Sequence, residues 1–166
     1  YKIGVELKKE KRDIKYAQKE LPINKIICGD ALEELKKLPD ESVDLVITSP
    51  PYDNLRDYAG YNFNFEGIAK ELFRVVRDGG IVVWIVGDAT IKGSETGTSF
   101  KQALYFKEIG FNLHDTMIYE KDVIIFPCPT RYHQSFEYMF IFTKGKIKTL
   151  NLIKDTINIR GGEMRK

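Results

Sequence analysis

The segment from Val43 to Asp53 constrains this chain more than any other, because an apolar strand ends there in Thr-Ser-Pro-Pro-Tyr. Two consecutive prolines fix φ and carry no N–H, so their carbonyls point in set directions outside any sheet ladder. In open α/β sheets, ligands bind in the crevice beyond the carboxyl ends of the strands. The segment therefore predicts a ligand site at the end of a strand.

The residues of this turn suit a planar heterocycle that carries an exocyclic amine. The Ser49 hydroxyl and the carbonyls of Pro50 and Pro51 can accept the N–H bonds of such an amine, and the Tyr52 ring offers a stacking face. The amine is a poor nucleophile while its lone pair is delocalised, so acceptors that favour a tetrahedral nitrogen activate it. Direct attack on an activated methyl group then depends mainly on positioning and fixed dipoles.

Strand and helix patterns alternate along the chain, which indicates an α/β fold with a mostly parallel, doubly wound sheet. Five strands are predicted, over residues 25–28, 44–47, 81–86, 116–119 and 136–143, with the last two as an antiparallel pair. Helices are predicted over 31–38, over 65–78 between an Asn64 cap and Gly79-Gly80, and from a Ser99-x-x-Gln102 capping box to Gly110.

Composition narrows the class of protein. The 166 residues fit one domain, are 43% apolar and contain no apolar run long enough to span a membrane. Cys28 and Cys128 are too few for a disulfide framework and fit a reducing cytoplasm. The net charge of +2 is mild, so any contact with nucleic acid has to come from local clusters. The candidates are residues 8–12 and the lysines at 144, 146 and 148, for which solvated surface charge is the alternative.

Four blocks of this sequence together resemble the amino-methylating DNA methyltransferases. They are Gly29-Asp30-Ala31-Leu32, Ser49-Pro50-Pro51-Tyr52, the Gly79-Gly80 strand and the Phe136-Glu137-Tyr138 strand. Their order is similar to that of the β group, in which the catalytic motif precedes the glycine motif for S-adenosylmethionine. The resemblance covers about residues 25 to 154. It implies the Rossmann-like methyltransferase fold, whose sheet ends in a reversed antiparallel hairpin.

The resemblance implies transfer of a methyl group from S-adenosylmethionine to an exocyclic amine of a base flipped out of double-stranded DNA. Ser49, Pro50, Pro51 and Tyr52 are then the catalytic residues. Serine before Pro-Pro-Tyr favours N4 of cytosine, and N6 of adenine is the alternative. A cytoplasmic enzyme is expected, with a restriction endonuclease partner system and a homodimer both compatible with the family.

Four residues are candidates for binding the cofactor. Asp30 resembles the family acid near the cofactor's adenine, and capping of the following helix is the alternative role. Ala31 follows the end of the predicted 25–28 strand, and Thr48 follows the end of the predicted 44–47 strand. Asp88 follows the 81–86 strand and would either line the pocket or cap a loop.

Four further residues are candidates for binding the substrate. Asn54, Arg56 and Tyr58 follow the catalytic turn in a loop suited to holding a flipped nucleotide, with a lid packed on the domain as the alternative. Phe136 would form the far wall of the base pocket or pack in the core. No metal site is predicted, because His114 and His133 lack partners at ligand spacing.

Other functions stay open. Methyltransferases of RNA or of protein glutamine usually present Asn-Pro-Pro-Tyr, whereas position 49 is serine. Pro127-Cys128 resembles the nucleophile of carbon-methylating cytosine enzymes, but their Glu-Asn-Val motif is not found. A non-catalytic nucleic-acid-binding half that needs a partner chain is the third alternative.

The expected domain organisation follows from two parts of the family pattern that are not found in this sequence. The target-recognition region of the β group and its Phe-x-Gly-x-Gly segment are not found in these residues. We therefore expect a charged arm over 1–24, a partial catalytic domain over 25–154, and the start of a linker or target-recognition region over 155–166.

Overall fold

A computed structural model of the chain describes residues 21–51, 63–122, 130–132, 134–149 and 151. The helices over these residues are α1 (Ala31–Lys37), α2 (Phe65–Val75) and α3 (Thr98–Glu108). The strands are β1 (Val43–Thr48), β2 (Val76–Val86), β3 (Thr90–Ile91), β4 (Ser94–Glu95), β5 (Asn112–Glu120) and β6 (Phe136–Thr143). Most of the predicted arm and all of the predicted linker lie outside the described residues.

Four of the strands form one mixed sheet in the order β1-β2-β6-β5. β1 pairs parallel with β2, and the chain crosses from one to the other through α2, as a parallel pair requires. β6 is antiparallel to both β2 and β5. The predicted antiparallel pair is thus confirmed, with the bounds of β6 as predicted and β5 longer at both ends.

The strand predicted over 25–28 is wrong. These residues adopt no regular structure, and the Ile26 side chain is fully exposed while Ile27 is half exposed. An apolar run becomes a strand only where another strand offers its N–H and C=O groups. None of the described strands pairs with this segment.

The prediction that Gly79-Gly80 ends α2 is also wrong. Asn64 caps the helix as predicted, by accepting from the Gly67 N–H, but the helix ends at Val75 and β2 continues through both glycines. The cause is tertiary, because Lys144 Nζ donates to the carbonyls of Phe73 and Val76, at 2.7 and 2.9 Å. A side chain from the end of β6 therefore satisfies carbonyls at the helix end.

The predicted Ser99-x-x-Gln102 capping box does not form. The helix α3 starts at Thr98 after Gly97, whose φ of +66° is left-handed. Ser99 instead bonds to the Asp88 carboxylate, and Gln102 bonds to Trp84. A short hairpin of β3 and β4, absent from the sequence prediction, precedes the helix and turns at Lys92-Gly93 with both φ angles positive.

The hydrophobic core lies between α2, α3 and one face of the sheet. Alternate residues of β2 and β6 point into it, and the Phe106 ring of α3 stacks on Phe142 with centroids 4.6 Å apart. The buried apolar residues of this cluster are Ile68, Ala69, Leu72, Val75, Val76, Val82, Trp84, Val86, Ala103, Phe106, Phe111, Phe140 and Phe142. The packing fixes both helices against the strand ends.

Arg74 joins α1 to α2. Its guanidinium donates to the carbonyls of Leu35 and Leu38 at the end of α1, at 2.9 and 2.8 Å. It also pairs with Glu71 and Asp40, each at 2.6 Å, and the hydrogen bond to Glu71 is the main cause that raises the Arg74 pKa. One planar cation thus satisfies two helix-end carbonyls and two carboxylates.

We expect Arg74→Met to lower the free energy of unfolding by about 2 kcal/mol, since two carbonyls and two carboxylates lose a charged partner. Arg74→Lys should give an intermediate loss, because an ammonium cannot reproduce the planar fork. Urea unfolding measures both. Lys70→Met on the exposed side of the same helix is the control. Equal stability of the Arg74→Met and Lys70→Met variants would contradict this role.

Candidate functional site

A cavity of about 500 Å³ opens at the carboxyl end of β1. This volume is within the usual range for a small-molecule site. Its first wall is the start of α1 with the turn before it, formed by Gly29, Asp30, Ala31, Glu34 and Leu35. Because Arg74 holds the end of this short helix against α2, the wall is fixed relative to the core.

Asp30 has two roles in this wall. Its Oδ1 accepts from the Glu33 N–H at 3.1 Å, which is the N-cap geometry of α1, and the same residue lines the cavity. The two alternatives weighed from the sequence are therefore compatible in the structure. An exposed carboxylate at the rim can accept a hydrogen bond from a ligand while it caps the helix.

The second wall is the tip of β1 and the turn that follows it. Val46, Thr48, Ser49, Pro50 and Pro51 all line the cavity. Pro50 is buried and Ser49 is exposed, so the turn is anchored by its first proline and presents its polar residue outward. The prolines end the ladder here because neither can donate an N–H.

The floor of the cavity is apolar and was not predicted. It is formed by Ile68 and Leu72 of α2, Trp84 of β2, and Phe63 just before α2. Trp84 is the register partner of Thr48 in the parallel pair. The sequence signal that could have identified it is its position near the carboxyl end of the 81–86 strand, the neighbour of the strand that carries the catalytic turn.

The structure brings together six of the residues predicted for the site: Asp30, Ala31, Thr48, Ser49, Pro50 and Pro51. Four others, Tyr52, Asn54, Arg56 and Tyr58, lie outside the described residues, as do His133 and the Pro127-Cys128 dipeptide.

Asp88 and Phe136 are not among the described residues that line the cavity. Asp88 accepts from the Ser99 N–H at 2.9 Å, from the Ser99 hydroxyl and from the Thr96 hydroxyl, so it caps α3. This is the loop-capping alternative. Phe136 starts β6 and packs edge-on against Tyr138 with centroids 5.4 Å apart.

Two of the three lysines considered for phosphate contact bind the chain itself. Lys144 caps α2, as described above. Lys148 Nζ donates to the Asp78 carbonyl at 2.7 Å and pairs with its carboxylate at 2.8 Å. This pairing lowers the pKa of Asp78, with the hydrogen bond to Lys148 as the largest cause.

Over the described ranges, no group of three or more His, Cys, Asp or Glu residues is arranged to hold a metal ion. None of the helices in that part of the chain has the length and apolar character needed to cross a bilayer.

The family follows from comparison with known proteins. The model of the DNA methylase family of N6 and N4 methyltransferases matches residues 43–164, which is most of this sequence. The orphan methyltransferase M.BamHII of Bacillus amyloliquefaciens is 67% identical over 123 residues. That alignment covers 74% of this chain and 46% of the relative, so the chain spans less than half of that protein's length. The chain belongs to the DNA methylase family.

Solved structures support the fold. TTHA0409 of Thermus thermophilus, in complex with S-adenosyl-L-methionine, matches with a TM-score of 0.57 and 26% identity over 76% of this chain and 55% of its own. The cytosine-N4-specific PvuII DNA methyltransferase matches with a TM-score of 0.57 over 72% of this chain and 48% of its own. At 24% identity this second likeness shows the fold alone. The expected Rossmann-like α/β methyltransferase class is confirmed. The sheet formed by the described strands is mixed and not mostly parallel as predicted, since β1 and β2 form its one parallel pair.

We expect the Asp78 carboxyl to titrate below its ordinary pKa in the wild-type chain and to return toward the ordinary value in Lys148→Met. Because the folded pKa is the lower one, the stabilising pair is present at neutral pH and is lost as the pH falls through that value. Carboxyl NMR titration measures the shift, with Lys146→Met as the control. Identical Asp78 titration curves in the wild type and Lys148→Met would contradict the pairing.

Proposed function

We propose that the protein containing this chain methylates the exocyclic N4 amine of cytosine in DNA, with S-adenosylmethionine as the methyl donor. One observation carries the proposal. In a member of the DNA methylase family, the Ser49-Pro50-Pro51 turn and the Asp30-Ala31 turn border one cavity. A base amine held by the first turn and a donor held at the second would meet there.

The residues of the cavity fit the donor. The Asp30 carboxylate can accept from the amine of an adenine ring, while the partly exposed Leu35 and Phe63 offer an apolar surface for the ring itself. TTHA0409, which shares the fold, was solved with S-adenosyl-L-methionine. The chemistry that the donor supplies when bound is an electrophilic methyl group on a sulfonium.

The chain's own residues would activate the base. The Ser49 hydroxyl and the Pro50 carbonyl accept the two N–H bonds of the amine, which draws its lone pair out of conjugation. Tyr52, which follows Pro51 in the sequence, stacks on the flipped ring. The buried Pro50 holds these acceptors in fixed directions, so they are preorganised before the base arrives.

Serine at position 49 is the reason for proposing cytosine N4, and adenine N6 is the alternative because a hydroxyl can accept a bond from either amine. Double-stranded DNA with a flipped base is the proposed partner, and Asn54, Arg56, Tyr58 and Phe136 stay predictions for contacting it. A cytoplasmic location, a restriction-modification context and a homodimer likewise stay expectations of the family.

We expect the 166-residue chain to bind S-adenosylhomocysteine, and Asp30→Ser to weaken that binding about tenfold through loss of a charged hydrogen bond. Serine caps a helix as well as aspartate does, so α1 should remain intact. Calorimetry measures the dissociation constant, and Glu66→Gln on the exposed side of α2 is the control. If the wild-type chain does not bind S-adenosylhomocysteine, the result would favour the alternative of a non-catalytic nucleic-acid-binding half that needs a partner chain.

Mass analysis of nucleosides from methylated DNA tests the reaction, and N4-methylcytosine is the expected product. Tyr52→Ala should remove a stacking contact worth roughly 1–3 kcal/mol per base and lower kcat/KM for DNA accordingly. Tyr132→Ala, at a fully exposed tyrosine, is the matched control. N6-methyladenine as the product would overturn the cytosine assignment, and normal activity of the Tyr52→Ala variant would overturn the base-stacking role.

A further inference from the structure

We propose that Gln102 is a positioning residue for this cavity, which it serves by fixing the buried indole of Trp84, on which Phe63 of the cavity floor packs. The proposal rests on the proposed function in one respect, because a planar ring of the methyl donor is the ligand that this floor would hold. Gln102 itself is not among the described residues that line the cavity. Its effect on a ligand must therefore pass through Trp84.

The contact between the two residues is a buried hydrogen bond. The Trp84 Nε1–H donates to Gln102 Oε1 at 2.8 Å, with 1% of Trp84 and 5% of Gln102 exposed. An indole N–H can only donate, and burial without an acceptor costs free energy. The indole orientation that satisfies this donor is therefore strongly favoured over one in which the ring is rotated.

Aromatic packing alone does not determine this orientation. Trp84 meets Phe106 and Phe65 at interplanar angles of 66° and 59°, with centroids 5.0 and 5.9 Å away. Such contacts confine the indole to a slot but carry no direction for its N–H edge. The Phe63 ring lies at 27° to the indole with centroids 6.5 Å apart, and both rings line the cavity. Fixing Trp84 therefore also fixes the surface on which Phe63 packs.

The position of Gln102 is itself fixed by the start of α3. The Asp88 carboxylate accepts from the N–H and the hydroxyl of Ser99, three residues before Gln102 on the same helix. Ser99 is fully buried. The two residues that resemble a capping box in the sequence thus act separately, since Ser99 anchors the helix and Gln102 orients the tryptophan.

A floor ordered in advance lowers the entropic cost of binding a flat ligand. We therefore expect Gln102→Met, which keeps a similar volume but removes the acceptor, to weaken S-adenosylhomocysteine binding about fivefold in calorimetry, the change expected when binding must itself order one side chain. Gln102→Glu retains an acceptor oxygen and should restore binding to within about twofold of the wild type. Lys101→Met, on the exposed face of the same helix, is the matched control.

Trp84 is the only tryptophan of the chain, so its fluorescence reports on the indole directly. In Gln102→Met the emission spectrum should shift and the anisotropy should fall, while far-UV circular dichroism stays unchanged. Neither change is expected in Lys101→Met. These optical measurements need no ligand, so they test the link between Gln102 and Trp84 separately from the proposed function.

A double-mutant cycle with Trp84→Phe separates positioning from general loss of packing. Because phenylalanine has no N–H, adding Gln102→Met to Trp84→Phe should change the affinity by less than about twofold. Two results would overturn the proposal: an equal loss of affinity in both backgrounds, or full affinity in the Gln102→Met variant alone. In either case, binding by the wild-type chain would leave the proposed function standing. Absence of binding by the wild-type chain would count against the proposed function, in favour of a half that needs a partner. The link between Gln102 and Trp84 would then be decided by the optical measurements, and an unchanged spectrum and anisotropy in Gln102→Met would overturn it.

Discussion

The parallel pairing of β1 with β2 is the constraint on which the site depends. It places Thr48, at the tip of β1, beside Trp84 of β2, so the turn that carries Ser49 and Pro50 lies over an apolar floor. Because a parallel pair needs a crossover, α2 must pass over the sheet between the two strands, and it contributes Ile68 and Leu72 to the same floor. The cavity is therefore a consequence of the chain path as much as of the residues that line it.

Long-range polar contacts hold the helices around this pair. Arg74 binds carbonyls at the end of α1, Lys144 binds carbonyls at the end of α2, and Asp88 caps the start of α3. Each contact gives a partner to groups at a helix end, although the Leu35 carbonyl also accepts from the Leu38 N–H. Each also joins elements that are distant in sequence, so the helix ends are set by the tertiary structure. The short helix α1, which has no buried residue of its own, shows this dependence most clearly.

Much of the fold could be predicted because local patterns and burial agree. The β1 and β6 segments, the Asn64 cap and the antiparallel pair follow from periodicity and turn chemistry, and the structure bears them out. The failures have one cause in common. Residues 25–28 pair with none of the described strands, Gly79-Gly80 lie inside β2, and Ser99 and Gln102 bond to Asp88 and Trp84 instead of to each other's backbone. Each outcome depends on contacts between segments that are apart in sequence, and a local pattern holds no information about them.

The sequence by itself determined the class of protein and the backbone direction of the turn, since two prolines after a strand fix that direction wherever they occur. It also determined that Asp30 would cap a helix, because that cap uses a backbone N–H only three residues away. Only the tertiary structure decided that Asp30 and Ser49 face one cavity, that Trp84 lines it and that Asp88 caps α3. These outcomes depend on strand register and helix packing, which are set by burial of residues far apart along the chain.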